Sequence, residues 1–150
     1  MELNGIPEEK NENVVEIIKK VGNALGLAVV DQDIDACHRL GAMQQGRHRG
    51  IIVKFTRRSM KEEMLKKRKV KRNFNTSDIG ITSGPANVIY VNESLTSTRR
   101  KVLNAARDLR KDKGYTYVWV KNGKIFLRRN EGDKAIVLTS LDQVIKLQDQ

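Results

Sequence analysis

The sequence lacks most of the devices by which small proteins are stapled, anchored or armed for catalysis. A single cysteine, Cys37, stands in 150 residues, so no intrachain disulfide can form, which fits a reducing intracellular setting, nucleus or cytoplasm. No apolar run approaches the roughly 20 residues that a membrane-spanning helix needs, and no charged segment followed by an apolar stretch opens the chain. A soluble protein without a membrane partner is expected. Catalytic signatures are also missing: there is no phosphate loop, no Gly-x-Ser-x-Gly, no His-Glu-x-x-His and no spaced acidic cluster. Cys37, His38 and His48 lack a fourth ligand and zinc-finger spacing, and the first two would point to opposite faces of a strand. No catalytic residue, metal, cofactor or small-molecule substrate is therefore expected.

Acidic residues are outnumbered 29 to 18 by Lys and Arg, which leaves a formal net charge of +11. Such a balance points to polyanionic partners, nucleic acid or an acidic membrane surface. The charge is segregated. Residues 1 to 35 hold three basic and eight acidic groups (net −5), whereas residues 57 to 72 hold nine basic and two acidic (net +7). Binding of a polyanion should accordingly be local.

Two small domains, 1–92 and 93–150, account for the pattern of elements. A strand over Glu2 to Ile6 ends at Pro7, and Asn13 caps a helix with Glu16 at the capping-box position and Val14, Ile17, Ile18, Val21 and Leu25 on one face. Ile34 to Leu40 and Gly50 to Phe55 read as strands joined by a basic, Gly-containing loop. A second capping box, Ser59 with Glu62, starts a helix that buries Met60, Met64 and Leu65 and turns Lys66 to Lys69 toward water. A loop-like stretch from Phe74 to Asn87 leads to a strand over Val88 to Val91. The order β-α-β-β-α-β predicts a split βαβ sheet with both helices on one face. In the second domain a helix from Thr96 to Lys113 ends at Gly114. A hairpin and then a short helix through Leu141, Val144, Ile145 and Leu147 follow. The fold class expected is α+β, an RNA-recognition-motif-like βαββαβ domain followed by a small α, β-hairpin, α domain.

The hairpin carries the most specific signal. Asn122-Gly123 suits the left-handed positions of a two-residue type I′ turn, and with Lys121 opposite Lys124 the strand period sorts the side chains. Tyr115, Tyr117, Trp119, Lys121, Lys124, Phe126 and Arg128 fall on one face. Thr116, Val118, Val120, Ile125 and Leu127 fall on the other. An aromatic surface ringed by cations suits single-stranded nucleic acid, because bases stack on rings while Lys and Arg meet phosphates. Packing of the rings against another domain would concentrate aromatics equally well. On the preceding helix Arg100, Arg107 and Lys111 line up beside the apolar stripe of Val102, Leu103, Ala106 and Leu109.

An RNA-recognition motif stacks bases on rings of its two central strands. Here Gly50, Ile52 and Glu2 occupy those positions, so contacts should come from backbone-directed cations and from the second domain, with little sequence specificity. The run Lys66-Lys67-Arg68-Lys69-Val70-Lys71-Arg72 has three readings: a solvated helix end, a phosphate-binding patch or a nuclear import signal.

Asn4-Gly5-Ile6-Pro7-Glu8, Cys37-His38-Arg39-Leu40-Gly41, Ile51-Ile52-Val53-Lys54-Phe55-Thr56, Met60 to Leu65, and Tyr90-Val91-Asn92-Glu93-Ser94-Leu95-Thr96 carry a resemblance. The chain resembles the few-polyhedra (FP) proteins of baculoviruses and insect mobile elements. More distantly it is similar to the first-open-reading-frame protein of LINE-type retrotransposons. The latter resemblance implies an RNA-recognition-like domain without the ring platform, a small C-terminal domain, single-strand chaperone activity, and homo-oligomerisation through an N-terminal coiled coil outside this chain. It also places a basic pair on Arg99 and Arg100 and a strand-two arginine on Arg39.

Together these features lead to the expectation of a non-enzymatic module that clamps single-stranded RNA or DNA between its two domains. Arg39, Lys66, Lys67, Arg68, Arg99, Arg100, Arg107 and Lys111 would meet phosphates. Tyr117, Trp119 and Arg128 would stack on bases, flanked by Lys121 and Lys124. The alternative is a viral or host adaptor whose aromatic face docks protein and whose basic run directs nuclear import.

Overall fold

A computed structural model describes residues 1–150, and the chain divides into two compact units, Met1–Asn92 and Glu93–Gln150. The N-terminal unit runs β1 (Glu2–Asn4), α1 (Val14–Ala24), β2 (Ile34–Arg39), β3 (Ile51–Phe55), α2 (Arg58–Val70) and β4 (Tyr90–Asn92). Its sheet has the order β2-β3-β1-β4, with every pairing antiparallel. β3 thus separates the two strands that a simple βαβ unit would place side by side.

Alternation along these strands decides which face meets the helices. Leu3, Ile51, Val53 and Val91 point to one side and are buried with Ile18 and Val21 of α1 and Met64 of α2. Phe74, Ile79 and Ile89, from the segment after α2, close the same cluster. Each such side chain contributes roughly 1.5–3 kcal/mol through its removal from water. Phe74 is fully buried, and Arg68 and Lys71 lie over its ring at 5.6 and 5.7 Å.

The helix starts differ in part from those expected. Asn13 does cap α1, its Oδ1 accepting from the Glu16 N–H at 3.2 Å, but the Glu16 carboxylate turns to Lys19 instead of reaching back to the cap. Ser59 does not cap α2. That helix begins at Arg58, with Arg57 at the cap position and no side-chain cap bond, so Ser59 lies inside the first turn. β4 starts at Tyr90, later than Val88, because Val88 is held in an isolated bridge to Asn75. The stretch after α2 contains a 3-10 turn, Thr76–Ile79, capped by the Asn75 side chain.

The C-terminal unit consists of α3 (Ser97–Lys113), β5 (Tyr117–Lys121), β6 (Lys124–Arg128), β7 (Ile136–Leu138) and α4 (Leu141–Gln148). Thr96 accepts from the Arg99 N–H to start α3, and Gly114 ends it at φ 72°. The hairpin is part of a three-stranded antiparallel sheet ordered β5-β6-β7. β7 was not expected. It is three residues long, and its Ile-Val-Leu run sits between a turn and a helix, so periodicity alone could not separate it from either. Val102, Leu103, Ala106 and Leu109 of α3 and Val144 of α4 bury against Ile125, Leu127 and Leu138.

Gly22, in the last turn of α1, is a site of close approach. A Cβ there would lie 2.6 Å from Val29 Cγ2 and 2.9 Å from the Leu27 carbonyl oxygen. Helix propensity favours alanine over glycine, yet overpacking against backbone outweighs it. Gly22→Ala should destabilise the protein by about 1–3 kcal/mol. A rise in melting temperature for that variant would show that the loop after α1 gives way freely.

Candidate nucleic-acid interface

The turn between β5 and β6 has Asn122 at φ 52° and Gly123 at φ 72°, the two left-handed residues a type I′ turn requires. The register that follows pairs Tyr117 with Arg128, Val118 with Leu127, Trp119 with Phe126, Val120 with Ile125 and Lys121 with Lys124. Ile125 and Leu127 are buried toward α3, and Val118 and Val120 lie partly buried against the same cluster. The reverse face has another chemistry. Trp119 and Phe126 stack there across the strands with ring centroids 5.2 Å apart and an interplanar angle of 10°. The Arg128 guanidinium lies 4.5 Å from the Tyr117 ring centre and 5.7 Å from that of Trp119.

Tyr117, Trp119, Phe126 and Arg128 are half-buried, and none of the three rings belongs to the apolar cluster beneath the sheet. Part of their shielding is mutual. Arg128 Nε is cut off from solvent without a hydrogen-bond acceptor, so this cation is held over the rings and not by a carboxylate. β7 extends the face: Val137, 41 % exposed, sits beside Phe126. Lys121 and Lys124 are exposed at the hairpin tip.

Tyr115 is not on this face. The Thr116 N–H donates to both the Arg128 and Arg129 carbonyls, at 3.1 and 3.2 Å, and the paired strand begins only at Tyr117, so the period-2 alternation does not extend to Tyr115. Tyr115 consequently turns into the apolar cluster, where it is 8 % exposed with Arg129 stacked 4.8 Å above it.

The basic residues of α3 divide. Arg99 Nη1 donates to the Gly123 carbonyl at 2.8 Å, which brings the start of the helix to the hairpin tip beside Lys121 and Lys124. Arg100, Arg107 and Lys111 are exposed on α3, along the edge of the buried arc of Val102, Leu103, Ala106 and Leu109. The ridge is carried by the helix layer, whereas the rings lie on the far face of the sheet. One site cannot contain both without a strand wrapping round the unit's edge.

In the N-terminal unit Arg39 is buried and its guanidinium is bonded within the fold. Its Nε and Nη2 donate to the Glu12 carboxylate at 2.7 and 2.8 Å, Nη1 to the carbonyls of Ile6 and Arg49, and Nη2 also to that of Pro7. Those bonds use all five guanidinium donors. The Arg39 bonds hold the Glu12 carboxyl below its ordinary value of 4.5, and Arg49 does the same to Glu8. Arg68 is also committed, its Nε donating to the Ile89 carbonyl at 2.9 Å and Nη1 to that of Lys71 at 3.0 Å. Lys66 is exposed and Lys67 half-buried. The basic run lies in α2 up to Val70, which is not the extended form that an import receptor takes.

The open face of the N-terminal sheet presents Glu2, Ile52 and His38 in one row. Its single ring is Tyr90, 53 % exposed at the start of β4, which was not among the expected site residues. Cys37 packs against the core, and burial pushes its thiol up. The His48 Nδ1 accepts from the Glu8 N–H at 3.0 Å. No three His, Cys, Asp or Glu side chains are grouped to hold a metal ion, and no helix is long and apolar enough to cross a membrane.

The C-terminal unit is thus a two-layer α/β module with an aromatic, cationic sheet surface on one side. Residues 96–148, from the cap of α3 to the end of α4, match the family model described as Baculovirus FP protein domain 2. For this unit the match supports the resemblance to the baculovirus FP family. No curated protein matches the chain.

Because Glu12 has its pKa lowered, the stability it contributes is present above its unfolded value and is lost as pH falls through the lower folded one. Arg39→Met should cost about 3–5 kcal/mol, since it strands Glu12 beside three unpaired carbonyls. Denaturant titrations at neutral pH and below pH 4.5 should show the wild type losing stability on acidification. The gap to Arg39→Met should narrow there. An unchanged gap would remove the Glu12 pair from the acid response.

Proposed function

We propose that the chain is a non-enzymatic module that binds single-stranded RNA or DNA with little sequence preference and acts as a nucleic-acid chaperone within a viral or mobile-element protein. The observation that carries this reading is the outer face of the β5-β6-β7 sheet: three rings outside the core, a guanidinium laid over two of them, and Lys121, Lys124 and Arg99 at one end. Planar rings offer every base a stacking surface worth about 1–3 kcal/mol, and cations at the rim meet phosphates. Contacts of this kind discriminate poorly among sequences and exchange readily, as strand annealing requires.

The strand order of the N-terminal unit supports reading it as an RNA-recognition-motif-like domain whose sheet lacks the usual rings. In that reading it contributes charge, through Lys66 and Lys67, more than base stacking. The FP match supports placing the C-terminal unit in a viral setting. One observation favours docking of protein on the same face: Val137 adds an exposed aliphatic neighbour to Phe126, which suits an apolar partner better than a phosphate.

Trp119 is the only tryptophan of the chain, so its emission reports on this face alone. Titration with an unstructured oligonucleotide should quench it, and Trp119→Ala should weaken binding by about 1–3 kcal/mol. Because the ring lies outside the core cluster, the same variant should lose little thermal stability. Unchanged emission on binding, together with a large drop in melting temperature for Trp119→Ala, would reject base stacking there.

A further inference from the structure

The C-terminal unit has two cationic surfaces, and its own layers keep them apart. On one side the sheet presents Arg128 with Lys121 and Lys124 around the rings. On the other, α3 presents Arg107 and Lys111, both exposed, on a line shared with Arg100. The ridge runs along the edge of the buried arc of Val102, Leu103, Ala106 and Leu109, and that arc joins the cluster on the aliphatic face of the sheet. The sheet therefore lies between the helix that carries the ridge and the rings on its far face. The two surfaces also differ in kind. The helix ridge has no exposed ring and offers only charge, whereas the sheet offers stacking as well.

We infer that the C-terminal unit is bivalent: it holds one single strand on the ring-bearing sheet face and a second, through its phosphates alone, on the outer ridge of α3, and so brings two strands together. This rests on the proposed function for the sheet face and adds a second site to it. Charge complementarity selects the occupant of the ridge, since cations at helical spacing without apolar neighbours suit a flexible polyanion and give it no register. Juxtaposition of strands by one small unit would supply what an annealing activity needs beyond neutralisation, a raised effective concentration of one strand near another.

The test uses the full chain, a short oligothymidylate that cannot pair with itself, and Arg107→Glu/Lys111→Glu, which alters only exposed positions. Trp119 quenching reports the sheet face. Native mass spectrometry counts strands per chain, and energy transfer between donor- and acceptor-labelled oligothymidylates reports bridging. The expected result is that the double variant keeps the wild-type quenching midpoint, loses one strand per chain and loses the energy transfer. Its log–log salt dependence should fall by about 1.4, at 0.7 per phosphate contact. Arg107→Gln/Lys111→Gln should fall between the two. An unchanged strand count and undiminished transfer in the double variant, with quenching intact, would overturn bivalence and leave the sheet site standing. A double variant whose quenching weakens in step with all other binding would overturn it in favour of one wrapped site. Absence of quenching in the wild type would sink the sheet site and bivalence with it.

Discussion

The left-handed pair Asn122-Gly123 fixes the strand register of the C-terminal unit, and that register decides which chemistry faces which way. A slip of one residue would send Trp119, Phe126 and Tyr117 under the helices and bring Val118, Val120, Ile125 and Leu127 out to water. The apolar cluster formed with α3 and α4 penalises that slip, and the turn geometry makes it hard to reach. Arg99, bonded to the Gly123 carbonyl, ties the helix layer to the same turn. Core, aromatic face and charged tip thus depend on one two-residue connection.

In the N-terminal unit a comparable part is played by a cation. Arg39 gathers the carbonyls of Ile6, Pro7 and Arg49 and the carboxylate of Glu12, joining the ends of β1 and β2 to the segment before α1. Arg49 closes on Glu8 beside it. The acidic N-terminal third is therefore partly neutralised from within, by arginines that a sum of charges counts as available to a ligand.

Most local signals were legible in the sequence, the Ser59 capping box excepted, and distant ones were not. The hairpin register could be read because a turn dipeptide and a period-2 alternation are contiguous, and α1 and α3 could be read from their caps and apolar stripes. Tyr115 could not be placed, since it lies before the paired strand, where one amide serves two successive carbonyls and strand alternation no longer applies. The role of Arg39 was hidden for a similar reason: its partners lie 27 and 33 residues away along the chain. The Arg100, Arg107 and Lys111 line was visible as a line. Its separation from the rings emerges only when the buried arc of α3 is set against the aliphatic face of the sheet.

The guanidinium of Arg128 rests on the phenol of Tyr117 and reaches toward the indole of Trp119, with its Nε shielded and unpartnered. In the proposed reading, a base that approaches the phenol on the side of the guanidinium meets the cation before the ring. Encounter and seating are then distinct events, the first governed by long-range attraction and the second by the swing of one side chain. The freed guanidinium, no longer spent on the aromatic, becomes a donor fork at the rim of whatever has taken its place.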